Sequence, residues 1–247
     1  MHGNSRIVTS PQDGVHAELA SRVRRHLTRP WQRPLQAHGR AAFAAVVDAV
    51  RAHAGALILD AGCGTGDSTA ELARRHPDAL VVGVDKSADR LRRGGERVAA
   101  AAGAGQPLLV RADLLDFWRL ALAADWRPRR QFILYPNPWP KAAHLGRRWH
   151  GHPVFPTIVA LGGELELRTN WQLYADEFAA ALACVGIEAR VEAFDVAPDG
   201  MPLTPFEAKY LASGQRCWRL RADLDGARPG GAPGDLRQGL VGAMPAV

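Results

Sequence analysis

The sequence predicts an α/β fold in which a mostly parallel sheet of seven strands is covered by helices on both faces. Three observations predict it. Apolar runs of strand length alternate with helix-like stretches from Leu57 to Cys184, a glycine-rich turn follows the first run, and an aspartate closes each of the first two runs. Parallel strands need a crossover between them, and the helical stretches supply it.

Ala41 to His53 reads as an amphipathic helix leading into the first strand, Leu57 to Asp60. Ser68 to Arg75 is the next helix, Leu80 to Asp85 the second strand and Ala88 to Ala102 a further helix. Leu108 to Arg111 and Phe132 to Tyr135 are strands three and four. Val154 to Leu161 is helical, and Gly162-Gly163 ends it. Glu164 to Arg168 alternates as a half-exposed fifth strand, Trp171 to Cys184 resumes helix, and Arg190 to Val196 with Arg216 to Arg221 form a closing antiparallel pair. Residues 1–54 are expected as a basic helical arm, 55–222 as the sheet domain and 223–247 as a disordered tail, because Gly, Pro and Ala dominate from Gly226 onward.

A chain of 247 residues with 47% hydrophobic and 23% charged content can bury one sizeable core. Its formal charge of +6 comes from arginine, since the only lysines are Lys86, Lys141 and Lys209, and such an excess favours a polyanionic partner. Cys63, Cys184 and Cys217 have no CxxC spacing, which argues against a disulfide framework and for a reducing compartment. The N-terminus has no signal-like apolar core and no run approaches the roughly 18 apolar residues of a membrane span, so a cytoplasmic location is expected. From Leu19 to Val47 there is no acidic residue, while Arg22, Arg24, Arg25, Arg29, Arg33 and Arg40 recur around Trp31. That segment is either a phosphate-binding arm with a stacking aromatic or a solvated helix followed by a proline-rich link. No segment implies an obligate protein partner or fixes an oligomeric state.

Gly62, Gly64 and Gly66 follow a strand and precede a helix, so a ligand can pack against bare backbone at the carboxyl edge of the sheet. A dinucleotide fingerprint would need a third glycine where Asp67 stands, beside a pyrophosphate that its carboxylate would repel. The pattern Asp60-x-Gly62-x-Gly64-x-Gly66 instead suits S-adenosylmethionine, whose amino and carboxylate ends need both an acidic side chain and open backbone groups. Asp85 is placed to take the ribose hydroxyls, and Asp113 to reach the adenine amino group. Cys63 reads as a small packing residue.

The loop after strand four, Pro136-Asn137-Pro138-Trp139-Pro140-Lys141, faces the methyl group in such a fold. Its prolines stiffen the backbone, Trp139 offers a flat face and Asn137 a hydrogen-bonding fork. Between Asp125 and Glu164 there is no carboxylate, yet Arg127, Arg129, Arg130, Lys141, Arg147 and Arg148 occur, an expected phosphate-binding surround. His144, His150 and His152 invite a metal reading, but zinc would want a fourth ligand and a closed shell.

These residues resemble the bacterial tRNA (guanine-N7)-methyltransferase family over about Leu57 to Leu220. The loop at 136–141 with Arg147-Arg148 is similar to the family's Pro-Asp-Pro-Trp-His-Lys and Lys-Arg-Arg runs. Thr169-Asn170-Trp171 with Tyr174-Ala175 resembles its Thr-Asp-Trp and Tyr-Ala, and Thr204-Pro205-Phe206-Glu207 its Thr-x-Phe-Glu substrate segment. The resemblance implies a Rossmann-like class I S-adenosylmethionine-dependent methyltransferase fold and methylation of guanine 46 in tRNA. It implies donor contacts from Asp60, Asp85, Asp113 and Asn137, with the glycines of the loop. It implies substrate contacts from Lys141, Arg147, Arg148, Asn170, Thr204, Phe206 and Glu207, with Asn137 and Glu207 at the chemistry. Asn137 and Asn170 stand where the family has aspartates, and the basic N-terminal arm is not the family's usual opening.

Guanine N7 carries an in-plane lone pair, so displacement at a sulfonium removes no proton and no strong base is required. Holding nucleophile and methyl in line can supply roughly 7 to 11 kcal/mol at best. Two other readings stay open. Asn137-Pro138-Trp139 lacks one proline of the Asn-Pro-Pro-aromatic loops that methylate exocyclic amines, and the paired asparagines also fit an RNA-binding paralogue that no longer turns over.

Overall fold

The computed structural model describes residues 4–29, 31–101, 106–226 and 233–242. Five strands form the parallel part of one sheet: β1 (Ala56–Ala61), β2 (Ala79–Asp85), β3 (Gln106–Arg111), β4 (Arg130–Leu134) and β5 (Glu164–Thr169). β6 (Ala189–Phe194) and β7 (Cys217–Asp223) complete it in the order β3-β2-β1-β4-β5-β7-β6, with β7 antiparallel to both neighbours. The expected seven strands and closing antiparallel pair are therefore present. β5, expected half-exposed, lies inside the sheet between β4 and β7, and its Arg168 and Thr169 are buried.

Helices cover both faces, and the alternation of side chains along β1 shows why. Leu57 and Leu59 enter the larger core with Phe43, Phe117 and Leu120, whereas Ile58 enters a second core with Leu72 and Ala73. The first set belongs to α2 (Ala37–Ala52) and α5 (Leu114–Ala123), the second to α3 (Asp67–Arg75). α4 (Ala88–Ala101) packs close enough on the glycine turn that a Cβ at Gly94 would meet the Thr65 carbonyl oxygen at 1.6 Å. α1 (Leu19–Thr28), α6 (Phe155–Ala160) and α7 (Gln172–Ala183) extend the larger core.

Three helices had no counterpart in the sequence reading. α5 is buried nearly all round, so it shows no amphipathic stripe, and its start is marked by Asp113, whose Oδ1 accepts from the Leu115 N–H at 2.9 Å. α8 (Pro205–Ala212) begins on Thr204, which caps the Glu207 N–H at 3.0 Å, with Pro205 in its first turn. α9 (Pro233–Gly242) corrects the expected disordered tail. Arg237 donates to Asp125 Oδ1 at 3.0 and 2.6 Å and to the carbonyls of Ala160 and Trp126, while Leu240 joins the larger core. The other residues of that tail, 227–232 and 243–247, lie outside the described residues.

The N-terminal segment also packs on the domain. Trp31, one of whose two readings was an exposed stacking aromatic, is half-buried edge-on against His152 at 4.9 Å with Arg119 over its face. Upstream, Gln12 Nε2 donates to Glu177 Oε1 at 2.6 Å, the His16 N–H donates to the same oxygen at 3.0 Å, and Arg148 donates to Gln12 Oε1 at 3.1 Å. Arg148 and Glu177 form an ion pair with both side chains at 0% exposure. Burial opposes the Glu177 charge, but hydrogen bonds from His150, Arg148 and Gln12 outweigh it and hold the carboxyl down at about 2. Removing one partner strands the other in apolar surroundings, which costs far more than the pair itself gains. Glu177→Ala is therefore expected to lower unfolding free energy by about 3–5 kcal/mol, and Gln12→Ala by about 1 kcal/mol, as read by urea denaturation.

Candidate active site

Two neighbouring strands, β1 and β4, send their connections to opposite sides, one toward β2 and the other toward β5, and a crevice opens at their carboxyl ends. The turn after β1 holds Gly62, Gly64 and Gly66 at φ of 86°, 60° and 74°, a region that side chains with a Cβ resist. Gly64 faces open space, with nothing within 4 Å of a Cβ placed there, whereas Gly66 is also needed for packing, since its Cβ would meet Val98 at 2.8 Å. The turn thus brings bare backbone to the crevice at Gly62 and seats α4 through Gly66.

Asp60 does not line the crevice. Its Oδ2 accepts from Ser68 Oγ at 2.6 Å and Thr69 Oγ1 at 2.7 Å, tying β1 to the first turn of α3. Its Oδ1 is buried without a hydrogen-bond partner among the described residues. Burial, against the pull of Ser68 and Thr69, pushes the Asp60 carboxyl up to about 6. Burial also pushes the Cys63 thiol up, so no nucleophilic thiolate is available there.

The crevice holds a cavity of about 430 Å³ lined by Gly62, Asp85, Asp113, Tyr135, Asn137, Trp139, Arg147 and Tyr174 among others. Asp85, closing β2, accepts from the backbone N–H of Ser87 at 2.8 Å and of Gly64 at 3.2 Å, and pairs with Arg90 at 3.2 Å. Asp113 caps α5 and lines the same wall, so one carboxylate serves both roles. A larger cleft of about 590 Å³ lies at the opposite end of the sheet, among Arg130, Glu164, Arg190 and Asp223. It includes none of the glycine turn.

The loop after β4 is shaped by two residues that are not glycine yet lie in the left-handed region, Tyr135 at φ 51° and Trp139 at φ 47°. Such backbone costs roughly 1–3 kcal/mol each and persists where surroundings enforce it. Asn137 Oδ1 accepts from the Trp139 N–H at 3.3 Å, and the Tyr135 N–H donates to the Arg168 carbonyl at 2.7 Å. Arg147 lies over the Trp139 ring at 4.7 Å. The Tyr135 hydroxyl donates to Glu207 Oε2 at 3.1 Å; burial and then the Glu207 charge push that phenol up, so it keeps its proton.

The remaining expected site residues lie outside the cavity wall. Glu207 is fully buried; burial pushes its carboxyl up while the Arg168 guanidinium, donating at 2.9 Å, pulls it down. Thr204 is used as the cap of α8, Phe206 is exposed and stacked on Tyr210 at 6.2 Å, and Lys141 is exposed at the loop's end. Asn170 Nδ2 donates to Gln215 Oε1 at 3.1 Å. Arg148 is not a phosphate ligand as expected: it is completely buried and committed to Glu177, Gln12 and the Trp139 carbonyl. Arg127, Arg129 and Arg130 do not surround the site either, since they pair with Asp125, Asp78 and Glu164 toward the amino ends of the strands.

His144, His150 and His152 do not converge. His144 packs edge-on to Trp139, His150 is buried on Glu177, and His152 lines the cavity, where burial pushes it down to about 4 and keeps it neutral. Tyr135, Trp149 and His152 are wall residues that sequence reasoning did not single out as such. Only Tyr135, as the last residue before the proline run, carried a usable signal.

Residues 54–220 match the family model described as "Putative methyltransferase". A tRNA (guanine-N(7)-)-methyltransferase of Thiobacillus denitrificans is 30% identical over 182 residues, covering 70% of this chain and 78% of that protein. The chain belongs to the tRNA (guanine-N7)-methyltransferase family. A family member from Leifsonia xyli is 30% identical over 176 residues, covering 66% of this chain and 74% of its own. Among solved structures, a variant 16S rRNA (adenine(1408)-N(1))-methyltransferase of Catenulisporales acidiphilia with cosubstrate SAM matches with a TM-score of 0.53 at 22% identity, over 74% of this chain and 92% of that one. The 16S rRNA methyltransferase KamB matches with a TM-score of 0.53 at 18% identity, over 80% of this chain and 96% of its own. These two likenesses carry the class I methyltransferase fold.

The family's donor is S-adenosylmethionine, and the turn fits it on this chain's own terms. A buried carboxylate oxygen lacks a partner at Asp60, Gly62 brings backbone without a side chain to the cavity, and Asp85 and Asp113 stand at its wall as acceptors for a nucleoside's hydroxyls and amino group. A cationic amino end favours ionised Asp60, so donor affinity is expected to be full above about pH 6 and to fall by roughly tenfold per unit below it. Calorimetry between about pH 5 and about pH 8 checks this. Asp60→Asn is expected to bind weakly and without that pH dependence.

Proposed function

We propose that the chain transfers the methyl group of S-adenosylmethionine to N7 of guanine in tRNA, with guanine 46 as the position that the family resemblance implies. One observation carries the reading: in a chain of this family, the donor turn and the loop after β4 line a single cavity. S-adenosylmethionine supplies the methyl as a sulfonium substituent. The N7 lone pair forms the new N–C bond, the C–S electron pair leaves with sulfur, and no proton moves.

The protein's work is therefore positional and electrostatic. Asp85 and Asp113 hold the nucleoside end on the β2–β3 side, and the stiff loop of Pro136, Pro138 and Pro140 holds the β4 side at a fixed distance. Trp139, braced by Arg147, gives a flat wall for a purine. Lys141, exposed at the loop's end, and Arg147 are the cations at hand for flanking phosphates. Thr204, Glu207 and Asn170 act from the surrounding layer: Thr204 sets the start of α8, and Asn170 is tied through Gln215. Phe206 is open to a base on the outer face.

The amine-methylation reading needs an acceptor for the N–H of the attacking amine. Asn137 Oδ1, the atom that would serve, already accepts from the Trp139 backbone. That bond engages one of the oxygen's two lone pairs, so an attacking amine would have to share the oxygen with the loop. An aspartate could accept the same backbone bond, so the loop's shape does not depend on the amide.

Nucleoside mass spectrometry of tRNA incubated with the protein and labelled donor is expected to show N7-methylguanosine. A methylated exocyclic amine would move the reading to the second class, and no label to a silent binder. Asn137→Asp is expected to keep turnover and Asn137→Ala to lose at least about tenfold, the worth of one hydrogen bond of roughly 1.4 kcal/mol, in kcat on the same tRNA.

A further inference from the structure

We propose that Tyr135 is a positioning residue for methyl transfer, holding the buried Glu207 carboxylate directly behind the β4 wall of the cavity, on the side where the purine becomes cationic. The assignment rests on the N7 reading, because only a nucleophile that gains positive charge benefits from it.

Three features converge on this side chain. Tyr135 sits in the left-handed region at the carboxyl end of β4, with its N–H held by the Arg168 carbonyl at 2.7 Å. Tyr135 lines the cavity, and its ring is buttressed by Tyr210 at 5.5 Å. Its hydroxyl donates to Glu207 Oε2 at 3.1 Å, while Arg168 Nη1 takes the other oxygen, Oε1, at 2.9 Å. Glu207 is itself fully buried and does not line the cavity, and Tyr135 is the hydrogen-bond partner that does. A left-handed non-glycine residue that is also a wall and a donor to a buried charge is a costly arrangement with a local purpose.

The physical gain follows from where charge goes. Methyl transfer creates no net charge; it moves one positive charge from sulfur to the purine ring. A carboxylate fixed on the β4 side, away from Asp85 and Asp113, favours the transferred state over the starting state, and that difference lowers the barrier. Tyr135 orients Glu207 and favours its ionised form, since its hydrogen bond lowers a carboxyl that burial raises.

The test is Tyr135→Phe, which keeps the ring. Expected are a fall of about tenfold in kcat on tRNA, the loss of one hydrogen bond to a charged group, and an unchanged KM and donor affinity, with the lower melting temperature that leaving Glu207 Oε2 without its donor entails. The acidic limb of the kcat profile is expected to move to higher pH, because ionised Glu207 has lost a donor. In the Glu207→Gln background the same change is expected to add nothing. Wild-type kcat and pH profile in Tyr135→Phe would overturn the assignment, as would fully multiplicative losses in the double variant or a parallel fall in donor affinity. If the wild-type protein makes no N7-methylguanosine, the functional reading falls and takes this assignment with it. If it does and Tyr135→Phe is unaltered, the assignment alone falls.

Discussion

The reversal of strand order between β1 and β4 is the constraint on which the site depends. Because one connection leaves toward β2 and the other toward β5, the sheet cannot close the gap at their carboxyl ends, and the chain must line it with loops. Those loops have to expose backbone without collapsing. The turn after β1 does so with three glycines at positive φ, and the loop after β4 with alternating prolines between Tyr135 and Trp139, both left-handed. The first solution is permissive backbone and the second is stiff backbone under strain. A soluble ligand can settle into the first, whereas a base that must meet a methyl group in line is better served by the second.

Strain of that kind has to be held by something that does not yield. Arg148 is the strut: it donates to the Trp139 and Lys141 carbonyls, lies over the Trp171 ring and pairs with Glu177 in the interior. Gln12 and His16 close the same carboxylate from the N-terminal side, and Ser10 reaches the Pro140 carbonyl at 2.6 Å. Residues ahead of the matched family segment thereby brace the loop after β4. The arginine-rich N-terminus is thus partly an architectural element rather than a free arm.

The sheet was legible because period and spacing report burial directly: each apolar run of the sequence became a strand within a residue or two at most of its ends. Part of the cavity wall was legible for a related reason, since Gly62, Asp85 and Asp113 line it as strand-end residues, whereas Asp60, read the same way, turns inward to Ser68 and Thr69. Side-chain direction was not legible. Arg147 and Arg148 are neighbours of the same type, yet one lies over Trp139 at the cavity and the other is sealed beneath it. Only the packing of α7, through Glu177, separates them. Thr204 and Glu207 read as a substrate motif and are also a helix cap, a local signal that the motif masked. The tail misled for a compositional reason: a segment poor in large apolar residues can still dock when one arginine, Arg237, satisfies two carbonyls and a carboxylate at once.

The two asparagines bear on how much charge this chemistry needs from the wall. A general base must be ionised and in contact with the proton it removes, so replacing it by an amide would end the reaction. Where the nucleophile already carries a free lone pair, a wall residue has only to keep its shape, and Asn137 does that by accepting from the Trp139 backbone. Negative charge near the developing cation can then come from a carboxylate that never touches substrate. On the proposed reading Glu207 is that carboxylate: it is fully buried, flanked by Arg168 and hydrogen-bonded to the wall residue Tyr135. Keeping the charge one layer back spares the wall the desolvation cost of a bare carboxylate against a purine face, while Arg168 and Tyr135 satisfy both of its oxygens. An amide at the wall and a carboxylate buried behind it are therefore compatible parts of a single electrostatic arrangement.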